Sequence, residues 1–348
     1  MKNKVLAIFK YPRAWNIDVI NRFSNYYDTE YLYISDYKNK NFTEIINETN
    51  NLIKSKSIDI IVFDVDYFKF INFFFIDKIH GRKKILVTGD DTDQHEMNSI
   101  TASACDLVLS HCPLSVLKFK EKGYEAHMIN FEISNLKKNN NQKEIDVLFF
   151  GNLTPDRKEF LDYIENEGIS LKNVGHREHV MGLPQNELIK LISKSKIVLN
   201  LSKTKTISVI DYASESIHRF YYQFKGRINL TGIIGTMCVT EYSPGQEIIF
   251  KEDELPTFFT KEECVKILKR LLKDDALIKK YTNKFTSKVY ELWEDKKNFE
   301  PIYNAIEKSN HRRVQLIKFP YWYLRIAAKQ IILRNIKLST LIKTIFQF

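Results

Sequence analysis

Long apolar runs are missing from this chain: nowhere in its 348 residues do 18 apolar residues stand together. A bilayer-spanning helix is therefore not expected. Cysteine is scarce as well. The four cysteines, Cys105, Cys112, Cys238 and Cys264, form no CxxC pair and no Cys/His cluster at zinc spacing. That argues against a disulfide-stapled scaffold and a structural zinc site, and it fits reduced, partly buried thiols in a cytosolic protein. No GxGxxG follows the first apolar run, Val5–Phe9; Lys10-Tyr11-Pro12-Arg13 stands there instead, which speaks against a dinucleotide cofactor. That run starts almost at once and lacks a small-residue cleavage site, so no secretory leader is expected.

Acidic residues vanish at one end. From His311 onward there is no Asp or Glu but there are eight Lys/Arg, and these eight, out of a formal net charge of +10, leave +2 for residues 1–310. The body is nearly balanced, so a general nucleic-acid-binding surface is not expected. Residues 311–348 read as a basic amphipathic helical tail, with Phe319-Pro320-Tyr321-Trp322-Tyr323 followed by Ile and Leu among Lys and Arg. Such a composition suits a helix lying in an anionic membrane interface, with Trp and Tyr at headgroup level.

What is present is rhythm. Short apolar, β-rich runs occur at Val5–Phe9, Glu30–Ile34, Ile58–Asp64, Lys84–Thr88, Asp106–Ser110 and His127–Phe131, separated by segments of helical composition. This alternation predicts a parallel, doubly wound α/β sheet, and near-continuous apolar runs predict strands covered on both faces. The polar stretch 134–144 (SNLKKNNNQKE) breaks the rhythm and reads as a linker. Strands are then expected at Asp146–Phe150, Ser170–Val174, Ile197–Leu201 and Met237–Glu241, and only helices from Thr260 onward. The expected layout is two Rossmann-like domains facing a cleft, residues 1–133 and 145–310, with ligands at the C-terminal ends of strands.

Several segments have residues suited to an anionic ligand. Gly151-Asn152-Leu153-Thr154-Pro155-Asp156-Arg157 follows a strand and opens a helix. A glycine there lets the backbone turn closely around a ligand, the helix N-terminus favours phosphate, and Arg157 can add a bidentate contact. An ordinary turn with Thr154 as N-cap and Pro155 at N1 explains the same residues. Lys225-Gly226-Arg227 places two cations beside glycines, and Asn200 and Ser202 end a strand with polar groups. In the first half, the loop 89–96 (GDDTDQHE) offers Asp91 and His95 as candidate general bases, or else helix-capping acids. The same acidic cluster offers residues that could hold a divalent metal, but spacing alone shows no DxD-plus-His geometry, and no metal is expected.

Taken in order, VLFFGNLTPDRKEFLDYI, LPQNELIKLISKSKIVLNLS and FKGRINLTGIIGTMCVTEYSPGQE resemble the second domain of CgeB-like glycosyltransferases, a branch of the GT-B class, and ILVTGDDTDQ, ACDLVLSH and KEKGYEAHMINF fit the family's N-terminal pattern more weakly, so that the resemblance covers roughly residues 58–272. The resemblance implies a GT-B fold with C-terminal helices, which can pack back on the domains through their apolar face. It also implies transfer of a sugar from a nucleotide-sugar donor, without cofactor or metal, to a glycan or glycolipid acceptor of a surface polysaccharide or glycoconjugate. The protein is then expected in the cytoplasm, peripheral on the inner face of the cell membrane. Gly151, Asn152, Arg157, Asn200, Ser202, Lys225, Arg227, Gly235 and Glu241 match the family's donor-binding positions. Leu230 departs from the pattern, because the family has a Glu there for the donor ribose. That departure keeps two alternatives open: a non-catalytic sugar-nucleotide-binding or assembly protein, and another two-Rossmann enzyme such as an epimerase.

Overall fold

The computed structural model describes residues 3–12, 14–65, 70–89, 91–130, 141–176, 183–203, 222–293, 299–308, 314 and 318–335. The chain divides into two compact units, one of Met1–His111, Ser115–Glu132 and Asn298–Phe348, the other of Cys112–Leu114 and Ile133–Lys297.

The first unit holds β1 (Lys4–Phe9), β2 (Asp28–Tyr33), β3 (Ile60–Asp64), β4 (Lys83–Thr88), β5 (Leu107–Ser110) and β6 (Ala126–Met128). They form one parallel sheet in the order β2-β1-β3-β4-β5-β6. Every residue of β3 and β4 is buried, the state that a strand covered on both faces requires. The connecting helices have local causes. Helix Phe42–Lys56 begins with a capping box, Asn41 accepting from the Glu44 amide at 2.9 Å while Glu44 accepts from the Asn41 amide at 2.7 Å.

The second unit holds β7 (Ile145–Asn152), β8 (Leu171–His176), β9 (Ser195–Asn200), β10 (Met237–Glu241) and β11 (Thr257–Phe258), parallel in the order β11-β10-β9-β7-β8. β11, only two residues long, has no periodicity and is absent from the strand pattern expected above. In both sheets the strand order reverses beside the first strand, β1 or β7. That reversal is the topological switch point at which open α/β sheets bind ligands.

The C-terminal segment corrects the expected boundaries. Helix Glu300–Lys308, assigned above to the second domain, packs on the first unit through Phe299, Ile302 and Ile306, beside Val5, Ala7 and Phe23. Phe299 stacks on Tyr26 at 4.7 Å and meets Phe23 edge-on at 5.2 Å. The tail is also partly core. In helix Tyr321–Asn335, Tyr323 is fully buried, and its hydroxyl accepts from the Phe73 amide at 2.8 Å and pairs with Thr101 Oγ1 at 3.1 Å. Tyr321, Leu324, Arg325, Lys329 and Ile332 of the same helix face solvent. No helix among the described residues is long and apolar enough to cross a membrane. Most of the expected linker lies outside the described residues.

Candidate functional site

The polar residues of the second unit gather where β7, β9 and β10 end. β7 runs out through Phe149, Phe150, Gly151 and Asn152, and helix Pro155–Asn166 follows with Thr154 as its N-cap and Pro155 at N1. The capping reading was therefore right, and the phosphate reading needs separate support.

That support lies in Arg227, at the start of helix Gly226–Ile234. Its Nη1 donates to the Phe150 carbonyl at 2.8 Å, and its guanidinium carbon stands 5.8 Å from the ring centroids of both Phe149 and Phe150. The guanidinium lies across Gly151, where a Cβ would sit 2.7 Å from Nη2 and φ is +113°. Gly151 is thus required on two counts, its left-handed backbone and the space it leaves for the cation. Burial, and then the neighbouring charge of Arg157, push the Arg227 pKa down to about 9. Among the described residues no carboxylate pairs with it.

Arg157 is used differently. It is buried, and it donates from Nη1 to the Asn152 carbonyl at 2.7 Å and from Nη2 to the carbonyls of Lys203 at 2.7 Å and Leu201 at 3.3 Å. Burial lowers its pKa, and the charge of Glu241 opposes that. Glu241, the last residue of β10, is itself buried; its Oε2 accepts from the amides of Ser202 at 2.8 Å and Lys203 at 2.9 Å. Desolvation raises the Glu241 pKa, while those two amides, Arg157 and Lys203 pull it back. Asn200 is fully buried and donates to Ser202 Oγ at 3.0 Å and Thr240 Oγ1 at 2.8 Å; Ser202 Oγ donates to the Glu241 carbonyl at 2.7 Å.

The structure therefore brings together Gly151, Asn152, Arg157, Asn200, Ser202, Arg227 and Glu241, with Lys225 preceding the Arg227 helix and bonding Gln223. It does not bring Gly235 to them. Gly235 caps the C-terminus of that helix at φ +82° and precedes β10, so it stands at the opposite end of the strand from Glu241. Leu230 packs among Leu148, Phe150, Ile192, Val198 and Ile234 in an apolar layer.

The first unit changes the choice of bases. His95 is buried in helix Asp91–Ala102, its Nε2 3.2 Å from Ser99 Oγ and its ring 4.6 Å from that of Phe119. Burial first, then Lys122 and Lys118, push its pKa down to about 3. It is a neutral core histidine and is withdrawn as a general base. Asp91 opens the helix, and its side chain lies outside the described residues. One acid was overlooked: Asp64 ends β3 beside the first sheet's switch point, 3% exposed, and accepts from Asn16 Nδ2 at 3.3 Å. A lone Asp closing the apolar run IIVFD was its signal in the sequence. No group of three or more His, Cys, Asp or Glu that could hold a metal occurs among the described residues.

The family model described as "Glycosyl transferase-like" matches residues 133–292, nearly the whole of the second unit. The fold of the whole chain agrees with this. It matches the Anabaena protein HepE, solved with UDP and glucose, at 12% identity and a TM-score of 0.58, over 88% of this chain and 100% of that one. It matches T4 phage BGT, solved with UDP and Mn2+, at 12% identity and 0.54, over 87% and 99%. A putative UDP-N-acetylglucosamine 2-epimerase from Listeria monocytogenes matches at 10% identity and 0.53, over 91% and 100%. The chain thus has the GT-B fold: two Rossmann-like α/β units with additional helices. No curated protein matches its sequence. In the second unit the polar cluster sits at the switch-point end of the sheet, the position this class of fold gives to ligands.

Proposed function

We propose that the chain is a nucleotide-sugar-dependent glycosyltransferase of the CgeB-like branch, and that its second unit binds the donor. The observation that carries this is Arg227, a guanidinium held across Gly151 at the end of β7 with no carboxylate among the described residues to neutralise it. A half-buried cation without a carboxylate partner is costly, and a diphosphate supplies the missing charge. The same cation, with Lys225 and the start of helix Gly226–Ile234, stabilises negative charge as the nucleoside diphosphate leaves. Because the protein itself provides this charge, transfer is expected to need no metal and to persist in chelator. Asp91 is our candidate for accepting the proton of the acceptor hydroxyl, now that His95 is withdrawn. UDP in the solved relatives makes UDP-sugars the first donors to try.

A thermal-shift screen of UDP-, GDP-, CDP- and dTDP-sugars tests the reading. A ligand that binds only the native state at about 100 times its Kd adds about 2.7 kcal/mol, a shift of several degrees. No shift with any of them would overturn it. Leu230 favours the second reading, a non-catalytic sugar-nucleotide-binding protein; binding without transfer or release of free nucleotide identifies that case.

The acceptor we propose is a surface polysaccharide or glycoconjugate, lipid-linked, at the cytoplasmic membrane face. Exposed Leu324 and Ile332 beside Arg325 and Lys329 support it, since apolar and basic side chains share one solvent-facing stripe. Replacing Leu324 and Ile332 by Glu is expected to abolish co-sedimentation with phosphatidylglycerol vesicles while leaving the melting temperature near that of the parent. Unchanged co-sedimentation would end the membrane assignment.

A further inference from the structure

We infer that Arg157 and Glu241 are positioning residues that together clamp the backbone of Leu201–Lys203, leaving Arg227 as the arginine of this cluster that meets the donor diphosphate. The inference rests on the donor-site reading above and revises the division of labour within it.

The starting point is a gap in the sheet. β9 pairs with β7 as far as Leu199 and with β10 as far as Asn200. Beyond Asn200 the ladder stops; a single isolated bridge joins Lys203 to Tyr222, with the Gln223 amide donating to the Ser202 carbonyl at 3.0 Å, yet Leu201 and Ser202 are buried. Buried N–H and C=O groups require partners. Side chains from both sides supply those that remain. From the β10 side, one Glu241 oxygen takes the amides of Ser202 and Lys203 at 2.8 and 2.9 Å. From the β7 side, Arg157 takes the carbonyls of Leu201 and Lys203 at 3.3 and 2.7 Å, and the Asn152 carbonyl at 2.7 Å ties the guanidinium to the end of β7. A carboxylate has only acceptors and a guanidinium only donors, so each side of the segment is met by the one group that matches it.

Geometry and charge separate the two arginines. Arg157 is enclosed and directed at three carbonyls; Arg227 makes one hydrogen bond, to Phe150, and lies over Gly151. Arg157 has the Glu241 carboxylate in its neighbourhood, so the clamp is charge-balanced. Among the described residues no carboxylate balances Arg227 in this way. The clamp holds Ser202 and Lys203 at the rim of the switch point, next to the bound donor, and Lys203 extends to Asp156 at 3.2 Å.

The test uses the full chain, with UDP as the probe. Four proteins are compared: the parent, Arg227→Ala, Arg157→Lys and Glu241→Gln. Arg157→Lys keeps the charge but loses the planar fork. The readouts are amide hydrogen exchange at Ser202 and Lys203 without ligand, apo melting temperature, and UDP affinity. Arg227→Ala is expected to weaken UDP binding by about tenfold or more while exchange at Ser202 and Lys203 stays slow. Arg157→Lys and Glu241→Gln are expected to accelerate exchange at those two amides and to lower the apo melting temperature. Parent-like exchange in Arg157→Lys, or in Glu241→Gln, overturns the clamp. So does Arg157→Lys weakening UDP binding as Arg227→Ala does with exchange unmoved, which would make Arg157 a ligand. If the parent does not bind UDP, the donor reading for UDP fails, and the exchange measurements still decide the clamp.

Discussion

Gly151→Ala is expected to abolish donor binding and to destabilise the fold by about 2–3 kcal/mol. Two independent effects add at this position. The backbone sits at φ +113°, a region that L side chains rarely adopt. The new methyl would also lie 2.7 Å from Nη2, 2.9 Å from Cζ and 3.0 Å from Nη1 of Arg227, so the whole guanidinium has to move. Moving it breaks the 2.8 Å bond to the Phe150 carbonyl and shifts the cation off its place above the two phenylalanine rings. Stability loss alone would show as a lowered denaturation midpoint with normal nucleotide affinity in the remaining folded protein. The expected result is both losses together, measured by urea unfolding and by titration with UDP. Parent-like affinity in a folded Gly151→Ala protein would show that the Gly151–Arg227 contact is not the donor site.

Leu230→Glu is expected to be the second large effect, in the direction opposite to what family comparison suggests. Putting back the family's acid would appear to restore a ribose contact. The structure instead places this side chain among Leu148, Phe150, Ile192, Val198 and Ile234. Leu230 is partly buried, so a carboxylate there loses apolar contact and part of its solvation, at a cost of about 1–2 kcal/mol near neutral pH. Burial raises the pKa of such a group above its unfolded value. The penalty is therefore full above the folded-state pKa and falls away as pH drops towards the unfolded one, so the variant recovers stability on acidification relative to the parent. Urea unfolding of both proteins across that range measures it. A variant as stable as the parent that binds UDP more tightly would mean that position 230 faces the donor.

Much of the fold was legible because of a single physical fact. Strands covered on both faces must be apolar throughout, so runs such as IIVFD and KKILVT stand out from their surroundings. Helix starts were legible for a similar, local reason: Thr154 with Pro155, and Thr260 with Glu263, satisfy the first amides of their own helices. The short β11 escaped notice because two residues are too few to show a period. His95 was misread because an acidic loop around it suggested exposure, whereas the helix begins at Asp91 and turns His95 inward against Phe119. The placement of the C-terminal helices was not legible, because an apolar stripe has the same composition whether it meets a protein core or a lipid surface. Only the contacts of Phe299, Ile302 and Tyr323 distinguish the two.

The candidate site divides along the same line. Residue types beside strands and glycines were enough to nominate Gly151, Arg157 and Arg227, since a glycine and cations are what anion chemistry at a switch point requires, and the resemblance to CgeB-like glycosyltransferases added Glu241. The sequence by itself determined the strands, their order of appearance, the local caps and this short list of polar residues, because each depends on neighbours a few positions away. Tertiary structure alone decided which arginine is held by the backbone and which is left over Gly151. Arg157 meets carbonyls 44 and 46 residues along the chain, and Arg227 meets a carbonyl 77 residues back. Hydrogen bonds of that reach depend on how β7, β9 and β10 are placed side by side, and the pairing of strands distant in sequence leaves no local pattern to read.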